Sequence, residues 1–233
     1  MSSRFRPLLA TVALAALALP AAAVLLRITT YFQADFDLKS GPGQPLPLAA
    51  EKGTIIGAAP TFTVVSQPTG GGALLVSGGG PGSPSATMIA LFDKPFSGSE
   101  LTIGWLVTPG AQCNSVSLRC MEDSDNEIID AGWGGDGNGD GIVQVGGSGT
   151  APLDYGQTYV CTLTLRDNIV GPDTWTFTMT NKAGGVPVTL SGLLALTHPL
   201  VVTQLQLVLG ANSSGTSLLD DITATSPGMG SSK

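Results

Sequence analysis

Charge is scarce in this chain. Charged residues make up 12% of its 233 positions, about half the usual share. The balance is acidic, with 10 Lys and Arg against 17 Asp and Glu. No basic patch exists to neutralise phosphates, which excludes nucleic acid as a partner, and an anionic membrane surface with it. Histidine occurs once, as His198 before Pro199, where it reads as a turn residue. No His-Glu-x-x-His, Gly-x-Ser-x-Gly or phosphate loop is present, so the sequence gives no support to an enzyme. Cysteine is limited to Cys113, Cys120 and Cys161, without a Cys-x-x-Cys pair, which leaves neither zinc-site nor redox spacing. Helical spacing is missing beyond the N-terminal stretch, and no segment repeats at a fixed period, which argues against a solenoid or a propeller.

What is present begins with a targeting signal. Arg4 and Arg6 precede an apolar run over residues 8–19, followed by Pro20 and the small-residue site Ala21-Ala22-Ala23. This is the pattern of a secretory signal peptide over residues 1–23, forming an N-terminal signal helix. Cleavage there removes both arginines and takes the net charge from −7 to −9, with 8 Lys and Arg left against 17 acids. The competing reading is an uncleaved anchor, because residues 7–26 form a twenty-residue stretch without a charge, long enough to cross a bilayer. A membrane is a partner only on that reading; otherwise the expected location is secreted, cell-surface or periplasmic. Export places the cysteines in an oxidising compartment. Cys120 and Cys161 each share the alternation of core residues, so a bridge between them competes with two small buried apolar side chains.

The remaining chain suits one all-β domain, with a linker over residues 24–30, the domain over 31–226 and a tail over 227–233. Short runs with a period of two recur between Gly- and Pro-rich turns. Leu101, Ile103, Trp105 and Val107 alternate cleanly, and Trp175, Phe177 and Met179 alternate with Thr174, Thr176, Thr178 and Thr180. Around a dozen strands predict a two-sheet antiparallel β-sandwich of jelly-roll type. In the closing strand, strict alternation puts Leu218, Asp220, Ile222 and Ala224 on one face, so Asp220 is expected to point with the core and to need a partner.

Three segments carry a resemblance. Asp35-Phe36-Asp37 before a Gly/Pro loop, Gly156-Gln157-Thr158-Tyr159 entering a long strand, and the closing Leu219-Asp220-Asp221-Ile222 together resemble the concanavalin A-like or laminin G-like jelly rolls of secreted bacterial proteins. The pattern is also similar to jelly-roll carbohydrate-binding modules. The resemblance implies that the first and last strands lie together and that the domain holds glycans or cell-surface partners. Laminarinase-type hydrolases of this general fold carry Glu-x-Asp-x-x-Glu on one strand. Here Glu127-Ile128-Ile129-Asp130 sets its two acids three residues apart, on opposite faces, which does not serve the two-carboxylate chemistry.

Metal chemistry has one candidate. Asp136, Asn138 and Asp140 alternate with glycines up to Gly141, the first half of a calcium loop, but Gly147 stands where an EF-hand requires its bidentate Glu. Calcium is therefore a candidate cofactor, with Asp130, Asp154 or the acids between Glu122 and Glu127 as further ligands. Seven of the 17 acids fall between Glu122 and Asp140, and no Lys or Arg lies between Arg119 and Arg166; such crowding favours a counterion. The alternative is a glycine-rich surface turn. Asp220 is either a further cation ligand or a hydrogen-bond hub tying the last strand to the opening segment. For stacking a sugar ring, Trp133, flanked by Gly132 and Gly134 beside the acidic loop, is the candidate platform, with Tyr155 next. The expected function is a non-catalytic, lectin-like binding module for extracellular glycan. The alternative is a structural or interaction protein of the cell surface without sugar specificity, which a flat Thr/Ser face favours.

Overall fold

The computed structural model describes residues 27–34, 36, 53–56, 62–67, 71–111, 113, 115–135, 141–147, 149–194 and 199–228. The expected signal segment 1–23, the loop carrying Asp136, Asn138 and Asp140, and His198 lie outside these residues. Fifteen strands and no helix occur among the described residues: β1 Arg27–Ala34, β2 Gly53–Ile56, β3 Phe62–Ser66, β4 Gly72–Ser77, β5 Ala86–Ser97, β6 Glu100–Pro109, β7 Val116–Met121, β8 Glu127–Gly135, β9 Gly141–Val145, β10 Gly149–Leu153, β11 Tyr159–Arg166, β12 Thr174–Asn181, β13 Val188–Leu193, β14 Val201–Leu209 and β15 Thr216–Gly228.

They form two antiparallel sheets. One runs β13-β12-β11-β6-β15-β4-β3, with β1 added alongside β15, and the other runs β10-β9-β8-β7-β14-β5-β2. β1 pairs antiparallel with β15, from Arg27 opposite Gly228 to Ala34 opposite Ile222, so the first and last strands do lie together. β1 begins at Arg27, within the segment expected to be linker.

Alternation explains the core. Leu101, Ile103, Trp105 and Val107 of β6, Cys161, Leu163 and Leu165 of β11, and Trp175, Phe177 and Met179 of β12 are all buried. Their partners on the other sheet include Leu118 and Cys120 of β7, Ile129, Ala131 and Trp133 of β8, and Leu205 and Leu207 of β14. Trp105 and Phe177 pack with ring centroids 5.9 Å apart, within the favoured range for aromatic pairs. A glycine is required at 192, where a Cβ would stand 2.8 Å from the Trp175 indole.

β15 departs from strict alternation. Its register with β6 shifts between Asp220, opposite Leu106, and Thr223, opposite Gly104, so one extra residue is accommodated. Asp221 takes a left-handed backbone conformation, φ 50°, and its amide donates to Asp220 Oδ1 at 2.9 Å. The bulge resets the phase: Leu219, Ile222 and Ala224 are buried, whereas Leu218 and Asp220 lie on the outer face. Asp220 therefore does not share the face of Ile222 and Ala224, contrary to simple alternation. An extra residue in a strand exchanges the two faces beyond it.

Candidate functional site

The outer face of the eight-stranded sheet carries two rows rich in hydroxyls. Residues between core positions must point outward, and on this sheet they are mostly threonine. The strand registers align Thr225, Thr102, Thr164, Thr176 and Ser191 in one row across β15, β6, β11, β12 and β13. The neighbouring row holds Thr223, Gly104, Thr162, Thr178 and Thr189. Gly104 leaves a gap in that row, and a Cβ there would stand 3.1 Å from Thr223 Oγ1. Thr102 and Thr164 approach to 3.4 Å through their hydroxyls.

Beside this array the sheet opens into a pocket of about 370 Å³. The cause is a notch along β15. β4 pairs with it only as far as Leu219, opposite Leu74, and β1 begins at Ile222, opposite Ala34, so Asp220 and Asp221 stand between the two neighbours. Ala73, Leu106 and Leu218 give the pocket apolar lining, and Gln67, Thr108, Thr158, Lys182, Asp220 and Asp221 give it polar lining. Gln67 lies just beyond β3, where its backbone amide donates to the Gly71 carbonyl at 3.0 Å. From there Gln67 Nε2 donates to Asp220 Oδ2 at 2.9 Å and to the Gly72 carbonyl at 3.1 Å. Thr108 and Thr158 share a hydroxyl hydrogen bond of 2.8 Å. The bulge and Gln67 thus fix the Asp220 carboxylate from both sides, which makes the pocket preformed.

The expected aromatic platform is absent from this face. Trp133 is 3% exposed, on a β8 longer than its glycines suggested. It stands opposite Val116 and Val143, and its Nε1 donates to Ser217 Oγ at 3.0 Å. Packing between β7 and β9 overrode the loop preference of Gly132, Gly134 and Gly135, so Trp133 serves the core and not ligand stacking. Tyr155 is half-buried and packs against the core, with its hydroxyl 3.5 Å from the Cys113 carbonyl. Among the described residues no aromatic side chain is exposed.

All three cysteines are free and buried. Cys120 sits in β7 of the smaller sheet and Cys161 in β11 of the larger, so the expected bridge between them is not formed. Stacked sheets lie about 10 Å apart, whereas a disulfide needs Cα atoms within about 7 Å. Burial pushes both thiols well above the usual range, helped at Cys120 by the nearby Glu127 and Asp130 carboxylates. Cys113 is also raised by burial, partly offset by its 2.9 Å contact with Ser217 Oγ.

The metal reading divides. Gly135 and Gly141, which bracket the Asp136 to Asp140 segment, pair with each other in the smaller sheet, while Asp220 belongs to the outer face of the larger one. Among the described residues no group of three or more His, Cys, Asp or Glu side chains is placed to hold a metal ion. The acidic turn after β7 is organised by hydrogen bonds instead. Asp123 accepts the amides of Asp125 and Asn126 at 2.8 and 2.9 Å and the Asn126 side chain at 2.6 Å. These bonds hold its carboxyl below the ordinary value. Glu127 lies 3.2 Å from Arg119, yet burial still keeps its carboxyl above the ordinary value.

Sequence reasoning reached the threonine face of β12 and the Asp220-Asp221 doublet, but not Gln67, Thr108, Thr158 or Lys182. Their roles arise from strands far apart in the chain: Gln67 and Asp220 are separated by 153 positions.

No family model and no curated protein matches the sequence. Solved structures do. A PL-14 alginate lyase from Aplysia kurodai aligns with a TM-score of 0.63 at 10% identity, over 85% of this chain and 100% of its own. The CBM2 module of the evolved Dit protein of Lactobacillus casei BL23 phage J-1 aligns with a TM-score of 0.55 at 11% identity, over 86% and 96%. The metal-free lectin I-B4 from Griffonia simplicifolia aligns with a TM-score of 0.50 at 9% identity, over 84% and 99%. At such identities the likeness establishes architecture alone: the chain folds as a two-sheet jelly-roll sandwich.

Proposed function

We propose that this chain is a non-catalytic glycan-binding domain acting outside the cytoplasm, with a polyhydroxylated ligand seated in the pocket at the β15 bulge. The observation that carries the reading is the Asp220 carboxylate, held by Gln67 and the Asp221 amide beside the Thr108–Thr158 hydroxyl pair. A sugar presents neighbouring hydroxyls that both donate and accept. A fixed carboxylate, an amide and hydroxyls match that pattern without needing a stacked ring. The lectin and carbohydrate module among the structural neighbours support the reading.

The non-catalytic assignment rests on the arrangement of acids. Asp220 and Asp221 are consecutive in the chain and line the same pocket, whereas two-carboxylate hydrolysis needs groups facing each other across the bond to be cut, roughly 5 to 9.5 Å apart. An alginate lyase shares the fold, so glycan turnover belongs in the same test. A second reading has its own support: the two rows of Thr and Ser are the flat hydroxyl face expected of an assembly surface.

A glycan array probed with the wild-type domain and with Asp220→Ala separates these readings. The expected result is selective binding by the wild type that Asp220→Ala abolishes while its melt stays cooperative. Silence across the array, with self-association in sedimentation lost on replacing Thr162 and Thr178 by Lys, would replace the glycan reading with assembly. Shortened oligosaccharides in the bound fraction would replace it with catalysis.

A further inference from the structure

We propose that two copies of this chain pair edge to edge through β13, antiparallel about a two-fold axis at Leu190. Among the described residues β13 pairs with β12 alone and ends the larger sheet. Its register runs from Thr174 opposite Leu193 to Met179 opposite Val188 without a bulge. Along such an edge every second residue turns its N–H and C=O away from the sheet, where another strand can take them. Sheet edges are ordinarily protected by a charge, a proline or a bulge. β10, which ends the smaller sheet, carries an exposed Pro152, and β3 keeps its outward Thr63 and Val65 half-buried. β13 has neither protection. Its outward Thr189, Ser191 and Leu193 are exposed, and residues 186–194 carry no charge.

The strand's own sequence indicates the occupant. A two-fold axis at Leu190 gives an isologous contact, in which positions equally far from 190 face each other. Leu190 meets its own copy, Val188 meets the partner's Gly192, Thr189 meets the partner's Ser191, and Leu193 meets the partner's Pro187. Hydroxyl thus faces hydroxyl on the outer side, a favoured cross-strand pairing. On the inner side, Val188 and Leu190 already pack against the core. Val186 and Leu193, 90% and 67% exposed, stand at opposite ends of the strand in one copy, and the pairing sets each Leu193 beside the partner's Val186. The hydroxyl rows also join. The row through Thr102, Thr164 and Thr176 ends on Ser191, and the row through Thr162 and Thr178 ends on Thr189, so across the axis each continues as the other. A net charge of −7 opposes association of copies, and β12, directly behind this edge, adds no charge to it.

The axis stands perpendicular to the sheet, so both outer faces, and with them both bulge pockets, open on the same side. Under the glycan reading above, a surface bearing repeated ligand engages the two pockets at once; the pairing itself does not depend on that reading.

Sedimentation velocity of the purified protein over a range of concentrations reads the pairing. The wild type is expected to shift from monomer to dimer as concentration rises. Thr189→Lys with Ser191→Lys sets like charges directly opposite each other across the axis, and Thr189→Glu with Ser191→Glu does the same with the other sign. Each double variant alone is expected to stay monomeric with a cooperative melt. Mixed in equal amounts, the two are expected to regain the dimer, because every Lys then faces a Glu. A wild type that stays monomeric, double variants that dimerise alone, or a mixture that stays monomeric would overturn the proposal. A dimer kept by both double variants but lost on replacing Thr162 and Thr178 by Lys would overturn it too, moving the contact from the edge to the sheet face.

Discussion

Asp221 offers the sharpest test of how β15 is built. It sits in the left-handed region at φ 50°, where an L-residue pays roughly 1–2 kcal/mol, least for Asp and Asn and most for a β-branched side chain. Its side chain is exposed, and the bond to Asp220 Oδ1 comes from its backbone amide, so substitution leaves that bond in place. Asp221→Gly removes the Cβ conflict but gives the unfolded chain more freedom, worth roughly 0.5–1 kcal/mol. The two effects offset, and stability is expected to stay within about 0.5 kcal/mol of wild type. Asp221→Val meets the conflict in full and is expected to lose about 1–2 kcal/mol. For a domain of 150–250 residues that is a fall in Tm of roughly 2–8 °C. Thermal melts by circular dichroism read both variants directly. Val as stable as Gly would mean that position 221 is extended, that no bulge resets the strand, and that Asp220 faces the interior after all.

The other predictions concern packing, metal and pH. Gly192→Ala forces a Cβ to within 2.8 Å of the Trp175 indole and is expected to cost about 1–3 kcal/mol of unfolding free energy in denaturant titration. Trp133→Phe removes the donor to Ser217 inside the core and is expected to cost about 1 kcal/mol without changing glycan binding; a selective loss of binding would return Trp133 to the site. The oxygen spacing of Asp136, Asn138 and Asp140 is expected to raise the Tm with calcium and to lose that rise with chelator or with Asp136→Ala, and a melt indifferent to both removes the metal. Asp123 has a folded pKa below its unfolded one, so its turn favours the fold above the unfolded carboxylate value and loses that contribution as pH falls through the folded value. Asp123→Asn should flatten the acid limb of a pH–stability profile, and an unchanged limb would count against the hydrogen-bonded turn.

The sandwich was legible because burial on one face imposes a period of two, and β6, β11 and β12 as far as Thr180 obey it. The same rule misled at β15, because a bulge leaves no mark in residue hydrophobicity: Leu218-Leu219-Asp220-Asp221-Ile222 reads equally well in either phase. β2, β10 and β13 escaped notice for another reason. All three are edge strands, and β13 alternates only between half-buried and exposed positions, so the apolar signal is diluted. Trp133 was misplaced because its glycine neighbours suggest a turn, while the sheet needs little of their side chains once β7 and β9 enclose the indole. The pocket joins β3, β6, β11, the β12–β13 connection and β15, and such a meeting is written in topology, not in any local stretch.

The placement of β15 also governs when this molecule can exist at all. Last in chain order, it is nonetheless an interior strand, flanked by β6 on one side and by β4 and β1 on the other. Until it is synthesised, the larger sheet is three pieces, β13-β12-β11-β6, β4-β3 and β1, with nothing to join them. Such late, long-range closure is slow, so the larger sheet assembles only once the whole chain is present.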